Sequence, residues 1–378
     1  MSTPHLVSLK MMGTTVLSLL ILATSAAPDP TIKISNKDPC IYFHGRWDDT
    51  PRTWWAGSGL KLNTKNLKSL SLELGPHTSS VPPLGVSIDY QDYFTVNVTQ
   101  GITEIPLTSA LKPGREKEST LVRLNVEGWQ NNQIDLQSII LNSDARLLPY
   151  KPSKLTFQFI GDSLSAGVGP GTQGQFLPQG VNQAWPFLFG EHFKAETRIN
   201  AQPGATLTDM VSYGNQHGVS FMYFRTEDTG YFWTVDHNYT TPWNFARDVP
   251  APTHLVIHIG ANDASQNVTA GGFIQVYTDF LTRIRGLYPR QPVFVFTPWG
   301  WPNANGSITY YYDGAYQRIV GARHSIGDKN VFLVNTTGWV GWDDVFDNLH
   351  PNVPGMRHIA DQFIDWLNKW GLKPEDKW

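Results

Sequence analysis

From about Thr31 to Leu148 apolar and polar positions alternate over short distances. The segments TIKIS, CIYFHG, SLSLEL, LGVSIDY, YFTVNVT, TLVRLNV and DLQSIIL are separated by clusters of Gly, Pro, Asn and Asp. A period of two puts every second side chain on one face of a strand, so residues 28–148 are expected to form an antiparallel β-sandwich. The run GRWDDTPRTWWAGSG, Gly45 to Gly59, reads as a loop whose tryptophans cover the core of that sandwich.

Beyond the short linker LPYKPSK the period changes. LTFQFIG, THLVIHIG, PVFVFTP and NVFLVNT are apolar without alternation, as strands covered on both faces must be. Helical stretches lie between them. GGFIQVYTDFLTRIRGLY brings Phe273, Val276, Phe280, Ile284 and Leu287 to one side. PGMRHIADQFIDWLNKWG starts on Pro354, carries Ile359, Phe363, Trp366 and Trp370 on one face and stops at Gly371. This alternation predicts a three-layer α/β domain with a parallel sheet over residues 149–378. An insertion rich in Tyr, Phe and Trp, from Tyr213 to Val249, breaks the rhythm.

Composition narrows the setting. With 378 residues, 40% hydrophobic and 16% charged, the chain can bury one large core or two ordinary ones. Residues 1–27 hold the apolar run MMGTTVLSLLILA behind Lys10 and end in small residues. They are expected to be a secretory signal peptide, too short in their apolar part for the roughly 20 residues of a membrane span. Loss of Lys10 with this leader would take the formal charge from −3 to −4, which gives no basic surface for nucleic acid or an anionic membrane. Asn97, Asn238, Asn267, Asn305 and Asn335 each open an Asn-x-Ser/Thr sequon, in keeping with a secreted, extracellular glycoprotein. The single cysteine, Cys40, rules out an internal disulfide.

In an open α/β sheet, chemistry gathers beyond the carboxyl ends of the strands. Four such places carry suitable residues: GDSLS with Ser163, the turn after TRINAQ with Gly204, GAND with Asn262, and DNLHP with Asp347 and His350. A serine attacks an ester only if a base takes its proton, and His350 is of the type to do so. Asp347, three residues earlier in the same loop, can turn back to hold the imidazole. The backbone N–H groups of Ser163 and Gly204 and the side-chain amide of Asn262 are the candidate donors for an oxyanion. Asp162 and Asp263 are expected to bond loop backbone rather than to act as paired acids. His237, His254, His258 and His358 show no metal-ligand spacing, and neither a metal nor a cofactor is expected. Trp299, in PWGWP after the PVFVFTP strand, and Trp342, just before the histidine loop, are candidate walls for a sugar ring.

These four blocks in this order resemble the SGNH, or GDSL, hydrolase superfamily. That resemblance implies Ser163 as nucleophile, Ser163, Gly204 and Asn262 as the oxyanion hole, and Asp347 and His350 completing a triad. A β-rich segment ahead of such a domain, with GRW and WWAGSG, further resembles carbohydrate esterase family two. Members of that family pair a jelly-roll sandwich with this hydrolase and deacetylate plant polysaccharides, and not all of them use the aspartate. In this chain either the Asp347 carboxylate or a backbone carbonyl can meet the imidazole. The resemblance implies a secreted esterase for acetylated polysaccharide or oligosaccharide. The alternatives are a lipid or aryl esterase of the same superfamily and a catalytically silent carbohydrate-binding protein.

Overall fold

A computed structural model describes residues 30–107, 119–168, 177–227 and 241–378. The leader, residues 1–27, lies outside the described residues, as do His237 and Asn238.

The first part of the chain contributes eleven strands: β1 Thr31–Ser35, β2 Tyr42–His44, β3 Arg52–Thr53, β4 Gly59–Lys65, β5 Leu70–Leu74, β6 Pro83–Ile88, β7 Phe94–Asn97, β8 Gly101–Glu104, β9 Thr120–Val126, β10 Ile134–Asn142 and β11 Arg146–Leu148. They form two antiparallel sheets. One runs β1-β10-β5-β8 with β3 on β10, and the other runs β11-β4-β9-β6-β7 with β2 on β4. Between them lies a core of Leu60, Leu62, Leu70, Leu72, Val86, Val122, Leu124, Leu136 and Ile139, supplied by alternate positions of facing strands. Strand β4 was not among the expected segments. Leu60 and Leu62 alternate there with Lys61 and Asn63, and the structure buries Lys61 as well as the two leucines.

The second part is a five-stranded, wholly parallel sheet in the order β13-β12-β14-β15-β18. Its strands are β12 Thr156–Asp162, β13 Glu196–Gln202, β14 His254–His258, β15 Val293–Phe296 and β18 Val331–Val334, with a small hairpin of β16 Trp301–Pro302 and β17 Ile308–Thr309. Consecutive side chains leave the sheet on opposite faces. Phe157, Phe159, Val256, Phe294 and Phe296 meet Trp185, Phe189 and Phe193 of α2 (Trp185–Phe193) and Phe363 of α7 (Val353–Trp370). Ile160, Leu255, Ile257, Val293 and Val295 meet Phe273, Phe280 and Ile284 of α5 (Ala270–Leu287) and Ile319 of α6 (Ala315–Ser325). The three layers follow from strands that are apolar on both faces.

Both long helices sit where their periodicity puts them, with shifts at the flanks. In α5, Tyr277 rather than Val276 is fully buried, and Val276 and Leu287 pack at the margin. In α7 the deepest stripe includes Met356, Ala360 and Leu367 beside Ile359 and Phe363. Trp370 remains 37% exposed, its ring edge-on to Phe294 and Phe332 at 5.3 and 5.4 Å. Gly371 ends α7 in the left-handed conformation, with its N–H returning to Leu367 and Asn368.

The Gly45–Gly59 loop corrects one expectation. Trp47 joins the sandwich core, its indole N–H donating to the His44 and Gly59 carbonyls. Trp55 does not. It is buried among side chains of the α/β part and donates to the Thr226 carbonyl at 3.0 Å, so one loop packs in two directions.

Candidate active site

Strand β12 ends at Asp162, and the chain turns at once into the short helix α1 (Ser163–Ala166). Asp162 caps it, one carboxylate oxygen accepting the Leu164 N–H at 3.0 Å. The glycine before it is required by space. A Cβ on Gly161 would stand 2.6 Å from Ser165 Oγ and 2.7 Å from the His258 carbonyl of the neighbouring strand. Ser165, the second serine of GDSLS, is buried in this turn, and Asp162 is the cap. Trp185 of α2 holds Leu164 from its other side by donating to the Leu164 carbonyl at 2.9 Å. Ser163 is thereby fixed beyond the carboxyl end of the central part of the sheet, 5% exposed.

The loop before α7 supplies its partner. His350 Nε2 lies 3.0 Å from Ser163 Oγ, across 187 residues of sequence. On the other side of the ring, Nδ1 lies 2.8 Å from Asp347 Oδ2. The second Asp347 oxygen accepts the N–H groups of Leu349 and His350 at 3.2 and 2.8 Å. One carboxylate therefore shapes the turn and orients the imidazole. Burial alone would raise the Asp347 carboxyl; the hydrogen bond and charge of His350 and the two backbone N–H groups outweigh this and hold it below the usual carboxylate range.

Asn262 stands at the start of α4 (Ala261–Ser265), which follows β14 through Gly260. Its amide nitrogen donates to the Ala205 carbonyl at 3.0 Å and lies 3.4 Å from Asp162 Oδ2. This ties the turn after β13, with Gly204 at φ +76°, to the turn after β14 and to the residue before Ser163. Asp263 behaves as expected of a loop-binding carboxylate, accepting Leu207 N–H at 2.7 Å and Thr208 N–H at 3.0 Å. Asp162 does more than expected, since it faces Asn262 as well as capping α1. Burial pushes its carboxyl up to about 7, with the nearby Asp263 charge adding to the rise against the opposing Leu164 N–H and His350.

Trp299 departs from the sequence reading. It is fully buried, its ring stacked 3.8 Å from that of His258 between layers, so it packs the core and offers no face to a sugar. Trp342 is 45% exposed on the turn Trp342–Asp344 that leads into the Asp347–His350 loop. His254 and His258 are buried, and burial lowers them to about 4 and about 3. His358 is on the surface, 3.5 Å from Asp344. Among the described residues no group of three or more His, Cys, Asp and Glu is placed to hold a metal ion, and no helix is long and apolar enough to cross a membrane. Asn97, Asn267, Asn305 and Asn335 are all exposed.

A serine, an imidazole and a carboxylate in hydrogen-bond sequence beyond the carboxyl edge of a parallel sheet is the architecture of a serine hydrolase. Residues 159–358 match the model of the GDSL-like lipase/acylhydrolase family, and the chain belongs to that family. No curated protein matches the chain. Among solved structures it is similar to a family two carbohydrate esterase from Clostridium thermocellum in complex with cellohexaose, at 20% identity and TM-score 0.65, over 88% of this chain and 99% of that one. An acetyl xylan esterase from the rumen bacterium Butyrivibrio proteoclasticus is 16% identical with TM-score 0.68, over 90% and 99%. A salicylyl-acyltransferase from a tetracycline biosynthetic pathway is 14% identical with TM-score 0.63, over 91% and 98%. The shared fold covers the sandwich as well as the α/β layers.

Proposed function

We propose that this protein removes acetyl groups from carbohydrate through an acyl-enzyme on Ser163. The observation that carries the reading is the chain of contacts from Ser163 Oγ through His350 to Asp347, at 3.0 and 2.8 Å. His350 Nε2 takes the serine proton as Oγ attacks the ester carbonyl, and Asp347 keeps the proton on Nδ1 so that Nε2 is free to accept. The carbonyl oxygen becomes an oxyanion, met by the N–H groups of Ser163 and Gly204 and by the Asn262 amide. Of the two contacts of the Asn262 amide nitrogen, that with Asp162 at 3.4 Å is the weaker, and the N–H on that side is the one we assign to the oxyanion. Collapse breaks the ester C–O bond, and His350 gives its proton to the departing sugar oxygen, which leaves as a hydroxyl. A water, deprotonated by His350, then attacks the acetyl-serine; the Ser163 Oγ–carbon bond breaks, His350 returns the proton to Oγ, and acetate is released.

Carbohydrate is favoured as the alcohol part because the likeness to family two esterases extends through both parts of the chain. Trp342 is the remaining exposed indole of the two chosen as sugar walls. The leader and the five sequons support export and glycosylation of the chain. The test is acetate release from acetylated xylan, mannan and pectin beside a long-chain lipid ester, with Ser163→Ala protein as control. Acetate from at least one polysaccharide, abolished in Ser163→Ala, is the expected result. Preferential cleavage of the lipid ester would place the activity with lipids, and sugar binding with no Ser163-dependent hydrolysis would make the protein a binding module.

A further inference from the structure

The peptide unit joining Pro203 to Gly204 carries two polar groups that point in opposite directions, the Pro203 carbonyl and the Gly204 N–H. The carbonyl is held by Asn215, whose Nδ2 donates to it at 2.9 Å from a side chain that is wholly buried. The same nitrogen donates to the Ser212 carbonyl at 3.1 Å, and Asn215 Oδ1 accepts from Gln202 Nε2, at the end of β13, also at 3.1 Å. Ser212 and Asn215 exchange backbone hydrogen bonds of 2.9 and 3.0 Å, which anchors the asparagine to its own turn. That turn lies on the side of Gly204 where a side chain would project. A Cβ there would come within 2.7 Å of Tyr213 Cβ and 3.2 Å of Asn215 Nδ2.

We infer that Asn215 is a positioning residue for the acyl-oxygen site, fixing the direction of the Gly204 N–H by holding the opposite end of its peptide. This rests on the proposed role of Gly204. A trans peptide is close to planar, so a hydrogen bond at the carbonyl end removes the rocking by which the N–H would otherwise swing away. The bond also polarises the amide and strengthens its N–H as a donor. A donor held in place needs no reorganisation as charge develops, which is where its catalytic value lies. Simple filling of space would need a side chain of this volume only. Two side-chain hydrogen bonds that join the Gln202–Gly204 segment to the turn lying over it, and a third that ties Asn215 to Ser212 within that turn, define an orientation as well.

Asn215→Asp and Asn215→Ala test this on an aryl acetate, with kcat expressed per active site titrated by a fluorophosphonate and the thermal midpoint recorded alongside. Asn215→Asp keeps the volume and the acceptor for Gln202 but offers no donor to Pro203 while ionised. In both variants kcat per titrated site is expected to fall about tenfold or more while KM changes less than about twofold. The loss in Asn215→Asp should shrink relative to wild type as the pH is lowered, because a protonated carboxyl donates again. A merely structural role would lower the titratable fraction or the midpoint and leave kcat per site unchanged. Labelled wild type with both variants within about twofold of its kcat would overturn this inference alone. Failure of the fluorophosphonate to label wild-type Ser163 would overturn the esterase reading and this inference with it.

Discussion

The Asp347 carboxylate divides its work between two oxygens, one on the turn and one on the imidazole. Asp347→Asn separates these tasks. Asparagine can still accept from the Leu349 and His350 N–H groups, so the loop should keep its shape. Its amide group then faces Nδ1 as a donor, which favours the tautomer with the proton on Nε2, and that nitrogen can no longer accept from Ser163. A loss of about a hundredfold or more in kcat/KM on aryl acetate near neutral pH is expected, with an unchanged thermal midpoint. Retention of more than half the wild-type rate would show that something other than this carboxylate sets the tautomer.

At the scale of elements, the site depends on how each strand hands over to the next turn. Gly260 is the clearest case. Between β14 and α4 it adopts φ +129°, a region that side chains avoid, and a Cβ there would collide with the Tyr316 hydroxyl and stand 2.8 Å from Phe273 Cζ. The Tyr316 hydroxyl is not free to withdraw, since it donates to the Ile259 carbonyl at 2.7 Å. Gly260→Ala should therefore cost about 1–3 kcal/mol of stability in urea unfolding. It should also lower kcat, because relief of the clash moves Ala261 and with it Asn262. A variant with wild-type midpoint and kcat would mean that the turn relaxes without disturbing α4.

On the scale of the whole molecule, the sandwich is built into the enzyme. The outward face of its second sheet carries Lys61, Arg123, Asn125 and Glu127, which would normally meet water, yet all four are buried against the α/β part. Lys61 pairs with Glu196 of β13 at 2.6 Å, Arg123 with Glu191 of α2 at 2.6 Å, and Asn125 with Asn182 at 2.8 Å. From the other side of the loop Arg46 reaches the Arg225 carbonyl at 2.6 Å. Glu127 accepts from Thr95 and Asn182, but burial prevails over these hydrogen bonds and raises its carboxyl to about 7. The folded protein thus binds a proton that the unfolded chain releases near pH 4.5, so this group's contribution is complete below that pH and is lost as pH rises through about 7. Glu127→Gln keeps the shape and removes the titration. The variant should match wild type in acid and gain on it by up to about 3 kcal/mol at neutral pH, read as thermal midpoints across the range. A constant difference between the two at all pH values would contradict a buried, titrating Glu127.

Much of this was legible in the chain because it is local. The parallel strands follow from runs such as FQFI and VFVF, the ends of α7 from Pro354 and Gly371, and the bonding of Asp263 to loop backbone from its position beside a turn. The candidate residues Ser163 and Asn262 follow directly from their position just past apolar runs that had to be strands, and His350 from the segment that follows the last strand, since the sheet gathers strand ends on one edge. What sequence left open required distances between remote segments. The Asp347 carboxylate, rather than a backbone carbonyl, lies beside the imidazole because the turn folds back on its own side chain. Trp299 and Trp342 are the same residue type at similar remove from a motif, yet one is stacked on His258 inside the sheet layers and the other is half exposed. Trp47 and Trp55 likewise occupy one loop and two cores. Asn215 carried no local signal at all, since its significance is a carbonyl twelve residues away, brought to it by the turn that packs over Gly204. Periodicity is a property of neighbours along the chain and reports which face a side chain takes; what that face meets is decided only when the layers close.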